Sequence, residues 1–195
     1  MQMQIKGVIP HGNHLVAVDI FGHTSKGMAG LELVGLGTLG RTIKEKLVFI
    51  SKCEQFKFPL LRFLICVELQ EEVKEYRSAH LRYLELPLLL LFWSLVGHLP
   101  IGRLDDCFTQ GRISPTGDVT QLQLNREEFI KLSSHSGIEM ETINKYLGIN
   151  DHDLPDSIYH LPLQEILPDH DTKRQYSIEL RKRSKSERLK VVADT

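Results

Sequence analysis

Apolar and polar positions change period several times along the chain. Residues 15–21 (LVAVDIF) combine β-branched side chains with partial alternation, which predicts a strand. The turn-rich connector 22–30 (GHTSKGMAG) leads to a second short strand at 31–34 (LELV), ended by the glycines of 35–40. Over residues 41–56, Ile43, Leu47 and Ile50 recur at helical spacing, widened by Val48 and Phe49. Lys44, Glu45, Lys46 and Lys52 fall on the wetter side of that helix. Pro59 closes the unit, and 61–69 (LRFLICVEL) predicts a strand buried on almost every side.

Residues 71–82 are charged and suit a surface loop or a short helix. A Leu-rich helix begins near Pro87, a residue favoured in a first helical turn. Its apolar run, 86–96 (LPLLLLFWSLV), is shorter than the roughly 18 to 20 residues that span a bilayer. Glu85, Gly97 and His98 flank it, which predicts the buried centre of a soluble domain. Farther on, 111–117 (GRISPTG) predicts a strand entering a turn, and 127–134 and 138–147 predict helices. Residues 148–171, with Pro155, Pro162 and Pro168, predict a linker or an extended wrap, and 173–192 is basic and helix-compatible. The order β-β-α-β-α-β-α predicts an α/β (α+β) domain with too few strands for a large doubly wound sheet.

Composition bounds this picture. A chain of 195 residues, 42% hydrophobic and 25% charged, holds one ordinary domain, or a domain and a tail, and excludes disordered and collagen-like classes. A formal charge of −1 excludes a uniformly basic nucleic-acid coat, yet residues 173–190 carry a local +6, leaving −7 for the rest. Cys53, Cys66 and Cys107 form no CxxC pair, which suits a reducing cytoplasm, and the N-terminus has no apolar signal core.

Several patterns invite chemistry. Gly35, Gly37, Gly40 and Arg41 match both GxGxxG and a P-loop with Arg in place of Lys, and helix N–H groups there can cradle phosphate. The acidic ribose partner expected about 20 residues on falls at Glu54 or Gln55, in or just after the helix, and no Walker-B strand follows. The same glycines suit a plain strand-to-helix turn. His11 and His14, Asp151-His152-Asp153 and Asp169-His170-Asp171 offer metal donors without a second ligand pair, so no metal is expected. No GxSxG elbow is present, and no Cys lies beside an evident His partner.

Four runs, GLELVGLGTLGRTIKEKL, LRFLICVEL, YLELPLLLLFWSL and GRISPTGDV, resemble in order and rough spacing the N-terminal domain of the Mg-chelatase-related AAA+ family, ComM-like competence proteins among them. The resemblance runs from Ile5 to Gly148 and implies a Lon-protease-like fold of the ribosomal protein S5 domain 2-like type. It implies that Gly35-Leu36-Gly37 is a structural junction. It also places the Lon serine near Leu84, Glu85 and Leu86, and the Lon lysine among Asp118, Val119, Thr120, Gln121 and Leu122. Neither residue type is present, so the resemblance implies no peptidase activity, as in the ComM-like proteins. Residues 71–80 depart from the family's Gly-rich lead. GxxxxGK[ST] occurs nowhere in the chain, so ATP hydrolysis in the family's manner is not expected.

The expected organisation is a Lon-like domain at 1–148, a Pro/Asp/His-rich linker at 149–172, and a basic tail at 173–195 resembling the start of an AAA+ module. The expected function is a non-catalytic accessory or assembly domain, cytoplasmic and without cofactor or membrane, partnered by itself or by an AAA+ homologue. A second expectation is DNA binding through Arg181, Lys182, Arg183, Lys185 and Arg188, with only Tyr176 available for base stacking. A third is a small phosphate- or nucleotide-binding enzyme using residues 35–40.

Overall fold

The computed structural model describes residues 1–12, 14–69, 76–135, 143–150, 154–167 and 176–179. Its first element is a long hairpin, β1 (Gln2–His11) and β2 (His14–Ser25), turning between His11 and His14. The antiparallel register pairs Ile5 with Ile20, Gly7 with Val18 and Ile9 with Val16 on one face, and Lys6 with Asp19 on the other. Strand β1 was not foreseen, because only residues 15–21 alternate strongly enough to stand out.

Strand β3 (Gly30–Val34), helix α1 (Gly37–Cys53) and strand β4 (Arg62–Glu68) follow, close to the predicted positions. Helix α1 buries Ile43, Leu47 and Ile50, so the period-3.6 stripe does face the core. A short helix α2 (Ser78–Leu81) and one 3-10 turn run into α3 (Glu85–Val96). Every residue of α3 from Glu85 to Leu95 is buried, because the sheet covers one side and α1 and β6 the other. Gly97, at φ 87°, ends it in the left-handed conformation that glycine adopts without strain. The continuous helical stretch Ser78–Val96 is long and apolar enough to cross a membrane by composition, but most of it is buried inside the domain. Trp93 donates its indole N–H to Ser51 Oγ at 2.7 Å, and Ser51 donates in turn to the Leu47 carbonyl, locking α3 to α1.

Strands β5 (Cys107–Thr109), β6 (Arg112–Ile113) and β7 (Val119–Leu122) precede helix α4 (Arg126–His135), which covers the opposite face of β2. Then come β8 (Lys145–Gly148), β9 (Tyr159–Pro162), helix α5 (Leu163–Ile166) and β10 (Tyr176–Glu179). Seven strands form the central sheet in the order β3-β4-β2-β1-β5-β8-β9, parallel at every pairing except β1–β2 and β2–β4. A smaller sheet has the order β10-β7-β6. The chain is therefore mixed α/β, with helices on both faces of a largely parallel sheet.

Three expectations need correction. Residues 145–148 are strand, because Lys145 and Tyr146 pair with Cys107 and Phe108 of β5, and tertiary pairing overrides local helix propensity. The predicted linker supplies β9 to the central sheet and buries Leu163, Ile166 and Leu167, so the domain extends beyond residue 148. Tyr176–Glu179, expected as helix, pairs in parallel with Val119–Leu122. The sheet is thus larger than the strand count from sequence.

Candidate functional site

Glu85 opens α3 with its carboxylate 1% exposed, so it must be paired to remain charged there. Lys46, from α1, donates to Oε1 at 2.6 Å and to the Ile113 carbonyl at 3.0 Å. Arg82 Nε donates to the same Oε1 at 3.0 Å, and the Ile113 N–H donates to Oε2 at 2.9 Å. The first turn of a helix favours a carboxylate electrostatically as well. Both carboxylate oxygens are occupied by these donors, which tie the head of α3 to α1 and β6.

This is the ground where the resemblance places a Lon serine. The segment expected to carry the lysine is equally committed. Asp118 accepts from Ser114 Oγ at 3.0 Å and from Thr116 Oγ1 at 2.5 Å, closing the β6–β7 turn. Gln121, buried, donates to the Gln110 carbonyl at 2.7 Å and to the Leu147 carbonyl at 3.1 Å, and accepts from the Ile149 N–H at 2.8 Å. Gln110 mirrors it, donating to the Leu122 carbonyl at 2.9 Å and accepting the Leu122 N–H at 3.0 Å. The two amides replace backbone ladder bonds where the small sheet meets the central one. The Ser114 hydroxyl bonds to the Asp118 carboxylate at 3.0 Å and to the Thr116 hydroxyl at 2.6 Å.

Gly35 sits at φ 94°, where a Cβ would lie 2.0 Å from the Val67 carbonyl oxygen. The close approach of β4 therefore leaves no room for a side chain here. Gly37 begins α1 at φ 55°, Gly40 is buried within it, and Arg41 is exposed. Leu36 caps α1 without a side-chain hydrogen bond and is buried.

His11 and His14 flank the β1–β2 turn, their rings edge to face at 5.3 Å, and Tyr76 packs on His11 at 5.6 Å. Among the described residues no group of three or more His, Cys, Asp or Glu side chains is placed to hold a metal. Cys107 is buried, its thiol pushed up to about 12 by desolvation and by neighbouring Asp106, which leaves it a poor nucleophile. Desolvation opposes ionisation of Asp106, but hydrogen bonds from Lys145 and Cys107 outweigh it and hold the carboxyl below its ordinary value. Arg181, Lys182, Arg183, Lys185 and Arg188, and both Asp-His-Asp motifs, lie outside the described residues.

Lys46 was the member of the Glu85 cluster that sequence placed wrongly, on the wet side of α1. It is 12% exposed, and nothing in a 39-residue separation marks the pairing. Gln110 gave no sequence signal, and Gln121 entered only as one of the positions matched to the Lon lysine; the buried role of neither was foreseen, since lone glutamines read as surface residues. No protein-family model matches the chain, and no curated protein matches it by sequence. What fold and site define is a mixed α/β domain with a buried ion-pair cluster at the head of its central helix.

Proposed function

We propose that this chain is a non-catalytic, Lon-like accessory domain of the Mg-chelatase-related kind, acting in the cytoplasm by assembling with itself or with an AAA+ relative. The observation that carries the proposal is Glu85, whose two oxygens are consumed by Lys46, Arg82 and the Ile113 N–H. A position that the resemblance gives to a nucleophile is spent on packing, which supports a role in association rather than turnover. The basic segment from Arg181 to Arg188 is the part of the chain suited to DNA, through phosphate contacts that weaken with salt.

Light scattering across the micromolar range, with affinity capture from source cells, tests the reading. Self-association or recovery of an AAA+ protein supports it. A strict monomer that recovers no such protein overturns it. For the DNA contact, truncation after Glu179 keeps β10 in place, and unchanged DNA retention at low salt in that variant removes the tail from the account.

A further inference from the structure

The central sheet is split between the first half of β1 and the segment entering β5. The two strands pair only at Lys6–Phe108 and Gly7–Thr109. The Cys107 N–H, which in a continued parallel ladder would reach the Gln4 carbonyl, donates instead to the Leu104 carbonyl at 3.0 Å. That turn carries the chain away from β1. On the other side, Thr24 donates its N–H to the Met1 carbonyl at 3.0 Å, so odd-numbered residues of β1 bond toward β2. Antiparallel alternation then directs the N–H and C=O of Gln2 and Gln4 away from β2, into the gap.

The gap is an open cleft of about 700 Å3 between Gln2 and Gln4 on one wall and Arg103, Leu104 and Asp105 on the other. Phe21, 43% exposed, pairs with Gln4 across β1–β2 and lines the same cleft. Arg103 and Asp105 satisfy each other through two hydrogen bonds of 3.2 and 2.8 Å, and the Met1 ammonium, also on the lining, donates to Thr24 Oγ1 at 3.3 Å, so each charge there already has a polar partner. What the cleft offers is backbone donors and acceptors at strand spacing beside an aromatic ring.

We propose that this cleft binds an extended peptide segment of a partner protein, which adds as a short strand to Gln2–Gln4 and sets an apolar side chain on Phe21. Main-chain bonds at an open sheet edge supply the affinity and alternate side chains the selectivity, as in other strand-addition sites. This inference does not depend on the accessory-domain proposal, because among the described residues no strand pairs with Gln2–Gln4 on the side away from β2.

The test is amide NMR on the full chain, titrated with a library of capped hexapeptides that carry apolar residues at alternate positions. Binding peptides are expected to shift and protect the Gln2 and Gln4 amides, which exchange rapidly in the unbound protein. Gln4→Pro deletes only an outward N–H and is expected to weaken binding at least tenfold, or about 1.4 kcal/mol. Gln4→Ala keeps that N–H and is expected to bind within about twofold of the parent, since strand addition reads the backbone. Equal binding by Gln4→Pro overturns the proposal. So does protection of both amides before any peptide is added, or a library with no member that moves them. Should Gln4→Pro fail to fold, the amide-exchange comparison on the parent chain decides alone.

Discussion

The ammonium of Lys46 lies 2.6 Å from Oε1 of Glu85, joining the middle of α1 to the head of α3 across 39 residues of sequence. The pair is nearly dry, at 12% and 1% side-chain exposure, and it also fixes β6 through both backbone groups of Ile113. The Leu-rich helix and two elements that pack on it, α1 and β6, are therefore tied at one carboxylate.

Removing one partner should be worse than removing both. Glu85→Leu leaves Lys46 buried without its anion and is expected to destabilise the fold by about 3–5 kcal/mol in urea unfolding. Combining it with Lys46→Met should recover most of that loss, because apolar replacements of both partners are often close to neutral. Arg82 is 45% exposed, so Arg82→Ala should change stability by less than about 1 kcal/mol. Equal destabilisation by the single and double variants would contradict the pairing.

The glutamine stitch predicts a second effect. Gln121→Leu strips the partner from the Gln110 carbonyl and from the Ile149 N–H, while the Leu147 carbonyl keeps the Thr109 hydroxyl at 2.6 Å. The expected loss is about 3 kcal/mol, since buried groups left unsatisfied carry their full desolvation penalty. Gln110→Leu should cost a similar amount, and the double variant less than the sum, because both serve one network. Denaturant melts of the three variants check this.

How much of this was legible in sequence follows from where the information lies. Helix α1 was readable because Ile43, Leu47 and Ile50 repeat at the helical period, and α3 because eleven residues from Leu86 to Val96 contain no charge. Strands β5, β8 and β9 were not, since each is three or four residues long and is held by partners far away in the chain. Glu85 was visible as the flank of an apolar run and, through the family resemblance, as a position near the missing Lon serine. Its role depends on Lys46 and on a backbone group of Ile113, and no local spacing encodes either.

Cysteine chemistry separates by burial. Iodoacetamide near neutral pH should alkylate exposed Cys53 and spare Cys107, whose thiol is held near 12 by its surroundings. Mass spectrometry of the labelled chain reads the outcome, and rapid labelling of native Cys107 would contradict the packing of β5.

The Asp106–Lys145 ion pair gives a pH dependence. The Asp106 carboxyl is depressed in the folded chain, so its stabilisation is present above the unfolded value of about 3.9 and lost as pH falls through the folded one. Lys145 is raised, chiefly by its hydrogen bond to Asp106, so its share is present below about 10.4 and lost as pH rises through its folded value. With side chains 29% and 38% exposed, the pair contributes less than about 1 kcal/mol. Asp106→Asn should flatten both limbs of a stability–pH profile by that amount.

The glycine turn should behave as backbone rather than as a ligand cradle. Gly35→Ala forces a Cβ onto the Val67 carbonyl at a positive φ and is expected to destabilise by about 3 kcal/mol or more. Millimolar ATP or NAD should leave the melting temperature of the parent chain unchanged, because a ligand of the native state would raise it. A clear upward shift with either nucleotide would return phosphate binding to Gly35, Gly37, Gly40 and Arg41.

The most direct test of the accessory-domain account is sedimentation velocity of this chain mixed with a Mg-chelatase-related AAA+ protein from the same organism. A boundary heavier than either component, carrying both chains and showing no peptide hydrolysis, is the predicted result. Separate boundaries with this chain monomeric throughout, or turnover of peptide substrates by this chain alone, would contradict it.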